Sequence, residues 1–350
     1  MTANAIAAGE GQEAAALLER TRETVDPELR RTVESLPGSM RRVAMYHFGW
    51  EDEAGRPTEG GAGKAIRPAL VLASAQALGG PPGGPGGRGA VRAAVAVELA
   101  HNFTLLHDDV IDKDVRRRGR PTAWTVFGIP DAIITGDAVM ALALRLFAED
   151  PHPAAAAASA RLAACVIELC AGQQADCAFE RRPDVALDEC LTMATAKTGA
   201  LLGCACALGA LYAGAGPEEV EAMDAFGREA GLAFQLIDDL IGIWGDPAHT
   251  GKPAGADLLA RKKSLPVVAA LTSGTRAGAE LADLYAGPMD GDDVRAAARA
   301  VERAGGRDWA QAHAADRMGR AVQELSRAVP DLAAAGGLLA LAEFVTRRTR

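Results

Sequence analysis

The sequence predicts an all-α protein, and three observations carry that prediction. Ala and Leu are abundant while aromatics make up only 4% of the 350 residues, and Ala and Leu favour helices where aromatic and β-branched residues favour strands. Apolar residues recur at helical spacing, as in Val25, Leu29, Val33 and Leu36. No stretch alternates as a strand ladder would, and no repeat of fixed period appears. With 49% hydrophobic residues the chain can bury a large core.

The elements follow in order. Residues 1–20 are Ala-, Gly- and Glu-rich and read as a mobile terminus, which leaves 21–350 as a single helical domain. An amphipathic run spans Thr21 to His47. A glycine-rich loop, EDEAGRPTEGGAGKAIRPAL, leads into a helix over Ile66 to Leu78. Lys64 and Arg67 stand at its start, where backbone donors and the helix dipole attract anions. GxxxxGK[ST] is not matched, so this is no Walker loop. Gly79 to Gly89, GGPPGGPGGRG, reads as a loop. An acidic helix follows and RRRGRPTAW ends it. Helices are then expected over Ile133–Phe147, Ala154–Phe179, a run from Leu187 carrying Lys197 and Thr198, and Pro217–Trp244. From Leu265 to Arg350 short helices alternate with loops.

Bulk properties exclude several classes. A net charge of -9 argues against nucleic-acid binding, which needs a basic face, and against a basic membrane-surface helix. The six cysteines include no CxxC and sit mostly among apolar residues, which predicts a reducing, cytoplasmic setting without structural zinc. No signal peptide is apparent at the start. The uncharged stretch Thr198 to Pro217 is about as long as a membrane span, but its Gly, Ala and Cys content predicts a close-packed buried helix instead of an integral membrane segment.

Two acidic elements carry the chemistry. ELAHNFTLLHDDVID, from Glu98 to Asp112, ends in Asp108 and Asp109 with Asp112 one turn later. Asp108 and Asp112 share a helix face, and His101 lies on the same stripe. Crowded carboxylates repel, and a hard divalent cation, Mg2+ above all, removes that repulsion while phosphates and water complete its shell. Arg116, Arg117 and Arg118 follow directly, with forked donors suited to phosphate oxygens. The bland alternative is a solvated, charged helix end. Because the acids close an apolar run, the pattern favours a metal-bridged polyphosphate site. The second element, FQLIDDLIGIWGD, carries Asp238 and Asp239, with Gln235 one turn before Asp239. A Gly- and Pro-rich loop bearing Asp246, Lys252, Asp257, Lys262 and Lys263 comes after it. Two such helices facing one cavity would let metals hold one diphosphate between them.

With both elements in view, the chain resembles the trans-isoprenyl diphosphate synthases of the polyprenyl synthetase family, geranylgeranyl diphosphate synthases above all. The ordered motifs are GKAIRPAL at 63–70, HNFTLLHDDVIDKDVRRRGRPT at 101–122, GQQAD at 172–176, KTGALL at 197–202, and FQLIDDLIGIWGD with GKPAGADLLARKKSLP at 234–266. The resemblance implies an isoprenoid synthase-type helical bundle around a central cavity, usually a homodimer. It also implies Mg2+-dependent condensation of isopentenyl diphosphate with an allylic diphosphate. By the same resemblance Asp108, Asp109, Asp112, Asp238 and Asp239 hold metal. Lys64, Arg67, His101 and Arg118 bind isopentenyl diphosphate, and Arg117 the allylic diphosphate. Lys197, Thr198, Gln235 and Lys252 contact the allylic diphosphate or face the developing cation, and Lys262 lies near the diphosphates. Phe103 and Thr104, about 6–8 Å along the helix from Asp108, floor the product tunnel and imply a C20 product. One position departs: the second DDxxD motif reads DDLIG, with Gly242 replacing the last acid and water or Asp246 making up the loss. That departure keeps open a weakly active or regulatory partner subunit. A terpene cyclase is the other alternative, disfavoured because its C-terminal metal motif is missing.

Overall fold

The computed structural model describes residues 3–58, 60, 63–80, 85–246 and 254–346. Helices account for nearly all of its regular structure, and backbone contacts divide it into two compact units, each assembled from separate stretches of chain.

The first unit comprises Met1–Ala164, Cys204–Asp224 and Arg327–Leu341. Its organising element is the helix Pro85–Ile111, here the first acidic helix, which packs on Ile66–Ala77 and Ile129–Ala148. Residues 93–97 with Leu99 and Ala100 are all buried, as expected of a helix that is apolar all round. This helix starts at Pro85, inside the glycine-rich stretch expected to be a loop. Proline suits the first helical position, and burial from Gly89 onward carries the helix through the glycines. The segment 1–20, expected to be mobile, lies largely within a 32-residue helix, Ala3–Glu34. Ala14, Leu18, Thr21, Val25 and Leu29 form one buried stripe along it, which anchors the helix from Ala14 onward. The amphipathic run expected through His47 is interrupted at Pro37, whose neighbour cannot stay helical, and resumes as Gly38–His47.

The second unit comprises Cys165–Gly203, Ala225–Ser326 and Ala342–Arg350. One of its cores gathers Phe179, Met193, Leu236, Leu240, Leu265 and Val268; another gathers Ile243, Leu258, Val267, Leu281 and Val301. Both draw on the helix Pro217–Trp244, the second acidic helix. The run from Leu187 is α-helical to Ala194, makes a π turn over Thr195–Gly199, and continues as the α-helix Ala200–Ala213. Two segments, Ala155–Phe179 and Leu187–Ala213, are long and apolar enough to cross a membrane; the apolar window of the second is 78% buried inside the fold.

Candidate active site

In the first unit, the last turns of the first acidic helix present the three aspartates differently. Asp108 is half-buried and Asp112 exposed, while Asp109 is turned inward with 1% of its surface accessible. Beyond Ile111 the chain forms a short antiparallel hairpin pairing Arg116 with Pro121 and Arg117 with Arg120. Its central residues, Arg118 and Gly119, have φ of 51° and 76°, the conformation a two-residue hairpin needs to follow strand twist. The sequence showed no strand because two residues per strand leave no alternation to read.

The hairpin aims the arginines. Arg117 Nε donates to Asp109 Oδ1 at 2.7 Å. Arg120 is structural: it donates to the carbonyls of Tyr46 and Glu51 and lies 4.3 Å over the Tyr46 ring. The Arg118 guanidinium lies against the glycine-rich loop, where a Cβ on Gly63 would stand 2.8 Å from its Nη2. A cavity of about 240 Å3 here is lined by Tyr46, His47, Asp109, Arg117, Arg118 and Thr122.

The electrostatics of this region favour an anion. Burial and the charges of Arg67, Arg118 and Arg117 hold the His101 imidazolium well below its ordinary pKa. Burial, with Arg118 and Arg117, likewise pulls His47 down to about 3. Buried Glu98 sits among the same arginines. Burial raises its pKa, Arg67 and Arg118 oppose the rise, and Asn102 donates to its Oε1 at 3.1 Å. Lys64 is exposed beside Ala65, whose φ of 54° begins the helix Ile66–Ala77. The non-glycine residues with positive φ among those described are Ala65, Lys113, Arg118 and Arg261. All four fall in the loops that carry the proposed ligands, and such strain concentrates at functional sites.

In the second unit, the π turn places Lys197 Nζ 2.5 Å from Asp176 Oδ2. Short π segments often mark functional positions. Thr198 Oγ1 donates to Gln235 Oε1 at 2.6 Å, Gln235 Nε2 donates to Asp239 Oδ1 at 2.7 Å, and the Leu265 N–H donates to Asp239 Oδ2 at 2.8 Å. Burial pushes the Asp239 carboxyl up to about 6, against the pull of Lys262. Asp238 is exposed one residue away. Lys252 lies outside the described residues. Phe103 packs edge-on against His107 at 4.7 Å, and Thr104 is buried with its hydroxyl on the His101 carbonyl.

Some contributors were not singled out by sequence reasoning. Asp176, visible in GQQAD, and Asp257, named in the basic loop, have no role assigned from the sequence, and Glu98 and Asn102 stand inside the first acidic stretch. Their signal was being charged or amide side chains in otherwise apolar helical runs, or beside a motif.

The donor set fits a hard divalent cation. Asp108 and Asp112 share a face and offer carboxylate oxygens, and the buried Asp109 Oδ2 has no hydrogen-bond partner. Among the described residues no three His, Cys, Asp or Glu side chains already converge on one metal position. That suits a cation whose shell is completed by diphosphate oxygens and water.

An all-helical fold with a cationic pocket beside acidic helix turns defines a class, the synthases that bind organic diphosphates. Within it the chain belongs to the polyprenyl synthetase family, whose sequence profile matches residues 53–302. It is 47% identical to a geranylgeranyl diphosphate synthase of Mycobacterium tuberculosis, over 95% of this chain and 93% of that one. It is 44% identical to a (2E,6E)-farnesyl diphosphate synthase of the same organism, over 93% and 91%. The crystal structure of a polyprenyl synthetase from Streptomyces coelicolor A3(2) superposes with a TM-score of 0.89 at 43% identity, covering 94% of this chain and 98% of that one. The chain is therefore a trans-prenyltransferase, of a family that is divalent-metal dependent and acts on isopentenyl and allylic diphosphates.

Proposed function

We propose that this enzyme makes geranylgeranyl diphosphate, the C20 product, with Mg2+ as its cation. The observation that carries the reading is the set of cationic groups around His101. Arg67, Arg117 and Arg118 surround a half-buried imidazole whose protonation they disfavour, and their field suits a multiply charged anion. Arg67, Arg118, His101 and Lys64 bind isopentenyl diphosphate. Arg117, held by Asp109, binds the allylic diphosphate, so Asp109 acts chiefly by positioning an arginine. Asp108 and Asp112, and separately Asp238 with Asp239, hold the cations. When bound, Mg2+ supplies Lewis-acid neutralisation of the charge that builds on the departing diphosphate.

Lys197, seated on Asp176, adds positive charge to that leaving group, as do Lys252 and Lys262. Thr198 and Gln235, fixed by their mutual hydrogen bond, keep polar oxygens ready for the allylic carbon as it becomes positive. Phe103 and Thr104 close the hydrocarbon tunnel. Support for C20 comes from Phe103 at the fifth position before Asp108 and from the geranylgeranyl-forming relative. The same reading makes the protein a cytoplasmic homodimer, supported by six free cysteines and by the exposed Ile129 and Ile134 on one helix.

The test supplies purified enzyme with Mg2+, labelled isopentenyl diphosphate and each of the C5, C10 and C15 allylic diphosphates. Products are dephosphorylated and sized, with Asp108→Ala as the blank. A C20 alcohol absent from the blank is expected. A folded protein that condenses none of the three primers would favour the partner-subunit reading that Gly242 suggests.

A further inference from the structure

Two lysines stand side by side after the second acidic helix, and their ammonium groups serve different partners. Lys262 and Lys263 belong to the turn 260–264, which joins the short helices Ala256–Leu259 and Leu265–Leu271. Lys262 lies in a field of carboxylates. Burial opposes its charge, but Asp239, Asp257, Asp176 and Asp238 together outweigh that and hold its pKa above the ordinary lysine range. Lys263 turns to carbonyls instead. Its Nζ donates to the Phe179 oxygen at 2.9 Å and to the Arg182 oxygen, 84 and 81 positions earlier in the chain.

Those carbonyls stand at the C-terminal end of the helix Ala155–Phe179, where the last oxygens lack a partner within the helix and the dipole favours a cation. The same helix carries Asp176, the seat of Lys197. The anchor is itself held. Arg182 donates twice to Glu189, at 2.8 and 3.0 Å, and Glu189 Oε2 accepts from the Ala186 N–H at 3.0 Å. No regular element holds the turn 260–264; separate ties do. Arg261 enters it at φ 51°. The Lys262 N–H donates to the Asp257 carbonyl at 2.8 Å, and the Lys262 carbonyl accepts from the Tyr285 hydroxyl at 3.2 Å. The Lys263 carbonyl accepts from the Cys190 thiol at 3.4 Å, and the Leu265 N–H donates to Asp239. Among these ties the Lys263 ammonium is the one that reaches the helix seating Lys197, and a charged donor on carbonyls makes a stronger bond than a neutral one.

We infer that Lys263 is a positioning residue for the condensation. By seating on the carbonyls of Phe179 and Arg182 it fixes the turn 260–264, and through that turn it holds the Lys262 ammonium against the acidic helix, in register with Lys197. The inference rests on the reading of Lys262 as a cation that serves the leaving diphosphate, and the experiment separates the two.

The full-length protein is assayed by rapid quench in single turnover, with enzyme in excess over the allylic diphosphate and Mg2+ and isopentenyl diphosphate saturating. The temperature is kept below the thermal midpoint of every variant. Lys263→Met is expected to lower the rate about tenfold, the scale of a partly misplaced group. Because Lys263 acts through Lys262, the double variant Lys262→Met/Lys263→Met is expected to be no slower than Lys262→Met alone. Losses that multiply in the double variant overturn the inference, since Lys263 would then work by another route. A Lys263→Met protein with a lowered midpoint and the wild-type rate overturns it too, as that is the mark of a purely structural cap. A wild-type rate in Lys262→Met overturns the reading of Lys262 on which the inference rests. Should Lys263→Met fail to fold, Lys263→Gln, which keeps a donor for one carbonyl, runs the same cycle.

Discussion

Replacing Gly172 with alanine tests how the helix Ala155–Phe179 meets the π turn that carries Lys197. A Cβ at 172 would lie 2.7 Å from the Lys197 backbone nitrogen and 3.1 Å from both the carbonyl carbon and the Cβ of Ala196. Comfortable contact needs roughly 3.5 Å, so the two segments must part by about 0.8 Å. Two effects oppose one another. Alanine gains about 1 kcal/mol over glycine inside a helix, while overpacking typically costs about 1–3 kcal/mol. The net expectation is a destabilisation of up to about 2 kcal/mol. Activity is the more sensitive readout. Asp176, one turn beyond Gly172, anchors Lys197 at 2.5 Å, so the parting displaces the ammonium from its partner. A shift near 1 Å at a positioned group can cost about 100-fold in rate. Steady-state condensation assays should therefore show kcat reduced about 10- to 100-fold, with a lowered midpoint in differential scanning calorimetry. A variant with full kcat and a raised midpoint would show that the helix gain comes free of a clash. The contact described here would then be wrong.

Other consequences can be checked in parallel. Arg117→Met leaves the buried Asp109 carboxylate without its 2.7 Å partner; because the arginine side chain is 30% exposed, the cost should fall below that of a fully buried pair, about 2–3 kcal/mol. Chemical denaturation measures that cost, and a loss under 0.5 kcal/mol would mean the pair is well solvated. Phe103→Ala should lengthen the product beyond C20 on reversed-phase chromatography, and an unchanged chain length would place the tunnel floor elsewhere. Burial pushes the Cys190 and Cys206 thiols up to about 12, so at pH 8 both should resist Ellman's reagent until the protein unfolds, whereas exposed Cys170 reacts in the native state. Rapid native labelling of Cys206 would contradict its burial.

Much of the molecule was legible before any coordinates. Helical class followed from the scarcity of aromatics and the spacing of apolar residues, and helices such as Ile66–Ala77 and Pro217–Trp244 lie close to where periodicity put them. Five ordered motifs sufficed for the family and its reaction, because residues three or four apart on a helix are neighbours whatever the fold. Folding decided what depends on distant partners. That Asp109 turns inward to Arg117 while Asp108 and Asp112 stay accessible is set by which helix face meets the core, and by a hairpin too short to show alternation. The π turn under Lys197 depends on a close approach at Gly172, 25 positions earlier. The sequence alone determined that an acid was absent at 242; only the tertiary structure brought the Asp257 carboxylate against that position. A helix pattern records its own periodicity, and it carries no record of which remote side chain the core will bring against it.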